Sequence, residues 1–192
     1  MKKLLVTGFD PFNGNTANPS WLAADALPDR VGEFEIYRLQ LPAIYGEAAR
    51  MVLEYAESLQ PDVILCLGLA GGRPAVTPER VGINVRSASI ADNAGQQFTD
   101  MPIIPGGPAA YFSTLPVTAM AAAIRDAGLP GQVSNTAGTY VCNDVLYTLC
   151  HHFAGRATKV GFIHVPYIPG QGEPNLPLAD TVKALVAAIG AL

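Results

Sequence analysis

At 192 residues, 49% hydrophobic and 15% charged, the chain has the size and composition of one folded domain, residues 1–192, with a sizeable core, and not of a disordered segment. Sixteen acidic against twelve basic side chains give a net charge of −4, which argues against a nucleic-acid or anionic-membrane partner, where clustered lysine and arginine are needed. No apolar run approaches the ~20 residues of a membrane span, and three cysteines, an odd number with no export signal, point to a cytoplasmic setting with reduced thiols.

In chain order, Lys2–Thr7 reads as a first strand, since Thr7-Gly8-Phe9-Asp10 cuts the apolar stretch too short for a signal peptide. Asn18-Pro19 suits a cap and a first helical position, and a helix is expected over Trp21–Leu27. Strand Phe34–Leu41, helix Tyr45–Ser58 and strand Val63–Leu67 follow. The glycine-rich Gly68–Arg73 is neither a dinucleotide fingerprint nor a phosphate loop. No Lys-Ser or Lys-Thr follows it, and Pro74 and Pro78 stand where a phosphate-binding helix would begin. The stretch from Arg86 to Ser113 is rich in Gly, Pro and Asp without lasting periodicity, and is expected to be a functional loop or to carry a short hairpin. Helices Val117–Ala127 and Val141–Phe153, strand Val160–Val165 and helix Asp180–Ile189 complete the pattern. Val63–Leu67 and Val160–Val165 are almost continuously apolar, as strands covered on both faces are. The alternation predicts a single three-layer α/β/α domain around a twisted, mostly parallel mixed sheet.

Only three histidines are available for chemistry. His151 and His152 are adjacent near the end of a predicted helix, where a cation is favoured by the helix dipole. Neighbours on a helix point in different directions, so they make a poor metal clamp. His164 interrupts an apolar strand near its C-terminal end, the end at which α/β sheets bind ligands; a satisfied core histidine is the alternative. Cys66 lies within the run Val63-Ile64-Leu65-Cys66-Leu67 and Cys150 on a helix face with Leu146 and Phe153, so both read as small buried hydrophobes. Cys142 instead opens a helix after the small polar run Ser134–Thr139. Unpaired N–H groups and the positive end of the dipole favour a thiolate there, and the same N–H groups suit an oxyanion. His151 and His152 lie nine and ten residues further along that helix, about 13–15 Å along its axis. If Cys142 is a catalytic thiol, its base is therefore His164. The base needs an orienting partner, for which Glu79, Asp10, Asp92, Asp100, Asp144 and Asn143 all qualify by type. Phe9 and Phe12, in the loop after the first strand, read either as tucked loop residues or as the wall of a ring-binding site. No zinc-type Cys/His spacing occurs, and neither metal nor cofactor is expected.

Segments TGFDPFNGNTANPSW (Thr7–Trp21), GLAGGRPAVTPERVGINV (Gly68–Val85), PGGPAAYFSTLP (Pro105–Pro116), SNTAGTYVCNDVLY (Ser134–Tyr147) and GFIHVPYIP (Gly161–Pro169) together resemble the type I pyroglutamyl peptidases, also called pyrrolidone-carboxylate peptidases, from Lys3 to about Pro169. The resemblance implies a cysteine peptidase that removes N-terminal pyroglutamate from small peptides through a thioacyl-enzyme. Its triad falls on Cys142, His164 and Glu79, the last chosen by the resemblance alone. It further implies substrate contacts from Phe9, Phe12, Asn18, Leu69 and Tyr140, and a homodimer or homotetramer. The chain departs from the family pattern at Leu69, where Gln is frequent, at Ser89, where an arginine is thought to help near the site, and at Asp144, where His is common. Two other readings use the same residues: a Cys–His hydrolase of another small acyl amide or ester, and a catalytically silent pyroglutamyl-binding homologue.

Overall fold

The computed structural model describes residues 1–192. Three parallel pairings form the frame. Strand β1 (Lys2–Phe9) lies between β3 (Phe34–Leu41) and β4 (Val63–Leu69), and β4 in turn pairs with β8 (Lys159–Val165). Two short antiparallel strands close the edges, β2 (Arg30–Val31) beside β3 and β5 (Thr77–Pro78) beside β8. The result is a six-stranded mixed sheet in the order β2-β3-β1-β4-β8-β5.

Successive residues of a strand face opposite sides of the sheet, and here both sides are apolar. Leu4, Val6, Leu65, Leu67, Ile163 and Val165 belong to one buried cluster, with side chains of α1 (Pro19–Asp25), α3 (Val117–Asp126) and α5 (Leu178–Ile189). Leu5, Ile64, Cys66, Val160 and Phe162 belong to the other, with side chains of α2 (Glu47–Leu59) and α4 (Val141–His152). This is why the strand sequences are nearly continuous in apolar residues, and it gives the three-layer α/β/α architecture expected of them.

Helix α1 begins as its sequence dictates. Asn18 is the cap and accepts from the Ser20 N–H, and Pro19 occupies the first turn. The helix also sits unusually close to the sheet: a Cβ on Gly8 would lie 2.5 Å from the Trp21 Cα, so only glycine admits it. Strands β1 and β4 run two residues beyond their predicted ends, to Phe9 and Leu69, and α1 ends at Asp25 instead of Leu27. Between Arg86 and Ser113 the chain is largely irregular, with one isolated antiparallel bridge between Arg86 and Met101. That stretch is held at its base by a separate antiparallel pair, β6 (Val81–Ile83) with β7 (Ala110–Phe112). The C-terminal ends of β1, β4 and β8 therefore come together at one rim of the sheet, the side on which open α/β sheets bind ligands.

Candidate active site

Cys142 is the second residue of α4. Tyr140, extended, is the N-cap, and no side chain caps the first turn. The leading N–H groups of the helix therefore remain available beside the thiol. The sulfur lies directly over β4. A Cβ added at Gly68 would be 2.8 Å from Cys142 Sγ and as close to the Phe162 ring, so the absence of a side chain at Gly68 makes room for the thiol. Gly68 is the residue opposite His164 in the β4–β8 ladder, which brings the imidazole to the same place.

Behind the imidazole lies Glu79. Strand β5 runs antiparallel to the end of β8, pairing Thr77 with His164 and Pro78 with Ile163, and the Glu79 N–H donates to the Phe162 carbonyl at 2.9 Å. This turns the Glu79 side chain inward, with Oε1 2.7 Å from His164 Nδ1. Both side chains are buried, at 0% and 4% exposure. The other candidates by residue type are occupied elsewhere. Asp10 accepts from Gln40, Asp92 accepts from the Tyr45, Ala94 and Gln96 N–H groups, and Asp144 pairs with Arg86 and accepts from Gly46. Asn143 bridges Ile83 and Val85, and Asp100 is exposed. None could be told from Glu79 by spacing along the chain, because the contact joins positions 85 residues apart.

Arg73, which the sequence marks only as the end of the Gly68–Arg73 loop, belongs to the same cluster. Its Nη1 donates to Glu79 Oε1 at 2.6 Å, to Thr77 Oγ1 at 3.0 Å and to Ser134 Oγ at 3.2 Å, and its Nη2 to the Thr136 carbonyl at 2.9 Å. The remaining Glu79 oxygen, Oε2, is buried and has no hydrogen-bond partner. The available signal was an arginine six residues before a glutamate across a proline-rich turn, read only as part of a failed nucleotide motif.

These groups border a cavity of about 180 Å³ lined by Phe9, Phe12, Asn18, Ala43, Leu69, Ala70, Arg73, Ala137, Tyr140, Val141, Cys142 and His164. Every expected substrate contact is in this lining, together with Cys142 and His164, while Glu79 stands behind His164 and Ser89 is exposed outside it. Phe12 and Tyr140 face each other with ring centroids 6.0 Å apart, and Tyr45 meets Tyr140 edge-on at 5.3 Å. The Tyr140 hydroxyl donates to the Ala91 carbonyl at 3.1 Å, which fixes that wall to the irregular stretch. Asn18 uses its amide for the scaffold: Nδ2 donates to the Asp10 carbonyl, and Oδ1 accepts from Ser20. Burial, reinforced by the negative charge of Glu79, pushes the Cys142 thiol up to about 12, with Arg73 and the backbone opposing. Cys66 and Cys150 are likewise pushed up to about 12 by burial, and neither lines the cavity.

The family model for pyroglutamyl peptidase matches residues 2–192. Over 197 residues the chain is 49% identical to the pyrrolidone-carboxylate peptidase of Levilactobacillus brevis, covering 99% of this chain and 97% of that protein. Over 195 residues it is 46% identical to that of Erwinia tasmaniensis, covering 98% and 92%. Among solved structures, pyroglutamyl peptidase I of Bacillus amyloliquefaciens superposes with a TM-score of 0.95 at 42% identity, covering 100% of this chain and 96% of that one. The pyrrolidone carboxyl peptidase of Thermococcus litoralis superposes at 0.93 with 36% identity, covering 100% and 93%. With matches along its whole length in sequence and in structure, the chain belongs to the pyroglutamyl peptidase family of enzymes.

Proposed function

We propose that this enzyme hydrolyses the amide bond after an N-terminal pyroglutamyl residue, with Cys142 as nucleophile, His164 as base and Glu79 as the group that orients it. The observation that carries the reading is the buried Glu79–His164 pair opening onto an apolar, ring-sized cavity with the Cys142 thiol in its wall. A cavity of about 150 Å³ already admits a benzene-sized ring, so a five-membered lactam fits between Phe9, Phe12 and Tyr140.

Glu79 as carboxylate accepts from Nδ1–H of His164 and so leaves the Nε2 lone pair for the thiol proton. His164 takes the thiol proton as the sulfur attacks. Sulfur adds to the pyroglutamyl carbonyl, and N–H groups of the first turn of α4 hold the oxyanion. Imidazolium returns its proton to the departing amine, which leaves as the shortened peptide. Water, deprotonated by His164, adds to the thioester. Collapse expels the Cys142 sulfur, which regains its proton from His164, and frees pyroglutamate. On the same reading the substrates are small peptides with N-terminal pyroglutamate, and the working form is a homodimer or homotetramer in the cytoplasm. The three unpaired cysteines suit such a reducing compartment.

The direct test is mass spectrometry of enzyme quenched during turnover of a pyroglutamyl amide. The mass of one pyroglutamyl acyl group is expected on the peptide that contains Cys142. An acyl group on Cys66 or Cys150 instead, or undiminished turnover by Cys142→Ala, refutes the mechanism.

A further inference from the structure

We infer that Arg73 is a positioning residue for the catalytic pair: by binding Glu79 it holds that carboxylate aimed at His164 and sets its own positive charge against the Glu79 charge beside Cys142. The inference rests on the triad reading above. Glu79 is fully buried, yet one of its oxygens has no partner and the other is shared by His164 Nδ1 and Arg73 Nη1. A buried carboxylate facing a neutral imidazole alone is poorly compensated. The Arg73 guanidinium is the one permanent cation in contact with it.

The charge state of Glu79 decides the tautomer of His164. As an anion it accepts from Nδ1–H. If it carried a proton, it would donate to Nδ1 instead, the ring hydrogen would move to Nε2, and His164 could no longer take the thiol proton. Arg73 acts a second time at the sulfur. The negative charge of Glu79 opposes thiolate at Cys142 and the positive charge of Arg73 favours it. Arg73 is built into this place by its other bonds, which tie the turn after β4 to Thr77 in β5 and to Ser134 and Thr136 in the segment leading into α4. The charged and titratable groups around the site are then Glu79 on the β5 side, His164 on β8, Cys66 on β4, Cys142 on α4, Tyr140 at the cap of α4 and Arg73 itself. Arg80 is turned away to Asn135, and Asp144 to Arg86.

The test compares wild type, Arg73→Met, Arg73→Gln and Arg73→Lys by two measurements. One is the rate of Cys142 alkylation by iodoacetamide as a function of pH, which needs no pyroglutamyl recognition; the other is kcat and KM for a pyroglutamyl amide. Arg73→Met is expected to shift the rise of alkylation upward by roughly one pH unit, equivalent to about tenfold slower reaction at neutral pH. It should also lower kcat by about 10–100-fold while changing KM much less, as loss of base function does. Arg73→Gln, which keeps hydrogen-bond donors without the charge and so guards against a misfolded Met variant, should behave like Arg73→Met. Arg73→Lys, which keeps the charge without the fork, should recover most of both losses. Wild-type alkylation and kcat in the folded Arg73→Gln variant, or Arg73→Lys as impaired as Arg73→Gln, overturns the role assigned to the Arg73 charge. If wild-type Cys142 is no more reactive than Cys66 and Cys150, the triad reading itself fails, an outcome separate from the behaviour of the Arg73 variants.

Discussion

Three cysteines are all raised toward 12 by burial, so low acidity does not mark the proposed nucleophile. Placement does: Cys142 alone is half-buried at a cavity wall and a helix start, next to a histidine with a buried carboxylate behind it. Cys142→Ala should therefore reduce turnover to background with the thermal midpoint nearly unchanged, because the second position of a helix tolerates alanine. Cys66→Ser should lower the midpoint by placing a hydroxyl in the core while sparing most of the chemistry. Removal of a base outweighs removal of the group that orients it. His164→Ala should accordingly fall near zero, and Glu79→Gln should show a large but partial loss in kcat; equal losses from the two would contradict these roles. That Cys142 and His164 share one cavity was legible because helix length eliminates the other histidines. Glu79 was not, since a short antiparallel edge strand, invisible as a pattern, delivers it to His164.

At the scale of elements, the site depends on two close approaches. Gly68→Ala would put a methyl group 2.8 Å from the Cys142 sulfur and against the Phe162 ring. Either the thiol or α4 must move. Overpacking of this kind destabilises by about 1–3 kcal/mol, and turnover should fall more than stability does, at least about 100-fold, since a misplacement of about 1 Å carries that penalty. Wild-type kcat in Gly68→Ala would show that the thiol is not held against β4. Asn18→Ala removes the α1 cap, at about 1–2 kcal/mol, and frees the Asp10 carbonyl in the loop between Phe9 and Phe12. Urea unfolding should show the stability loss, and KM should rise as the aromatic wall loosens. The long helices and the buried strands were readable from their apolar runs, as was the cap at Asn18-Pro19. Strands β2, β5, β6 and β7, of two or three residues each, were not. Such segments are too short to carry a period and owe their geometry to partners distant in sequence.

For the whole molecule, the buried thiols bear on stability against pH. Cys66, Cys142 and Cys150 have folded values near 12 against an ordinary 9.0. Below pH 9 both states keep these protons. Above it the unfolded chain releases protons that the folded chain retains, so the unfolded state gains and stability falls between about pH 9 and 12. Urea midpoints should decline over that window, and Cys66→Val should make the decline shallower; an identical slope would mean that other groups control it. No group of three or more His, Cys, Asp or Glu side chains is placed to hold a metal ion. Turnover should accordingly survive chelators and be lost on alkylation, and recovery of a chelated enzyme by zinc would contradict this. The central claim concerns the ring pocket. Its lining contains no carboxylate, and the one charged group in it is the cation Arg73. A neutral lactam suits such walls, whereas the secondary ammonium of a prolyl residue or the open ammonium of a glutaminyl residue would be desolvated with no counter-charge. A buried ammonium without a partner costs several kcal/mol, equivalent to about 10³-fold or more. The decisive measurement is kcat/KM for pyroglutamyl, prolyl and glutaminyl fluorogenic amides assayed side by side. The expected result is a preference of at least roughly 10³-fold for the pyroglutamyl amide; comparable values for the prolyl amide would contradict the pocket reading even with Cys142 as the nucleophile.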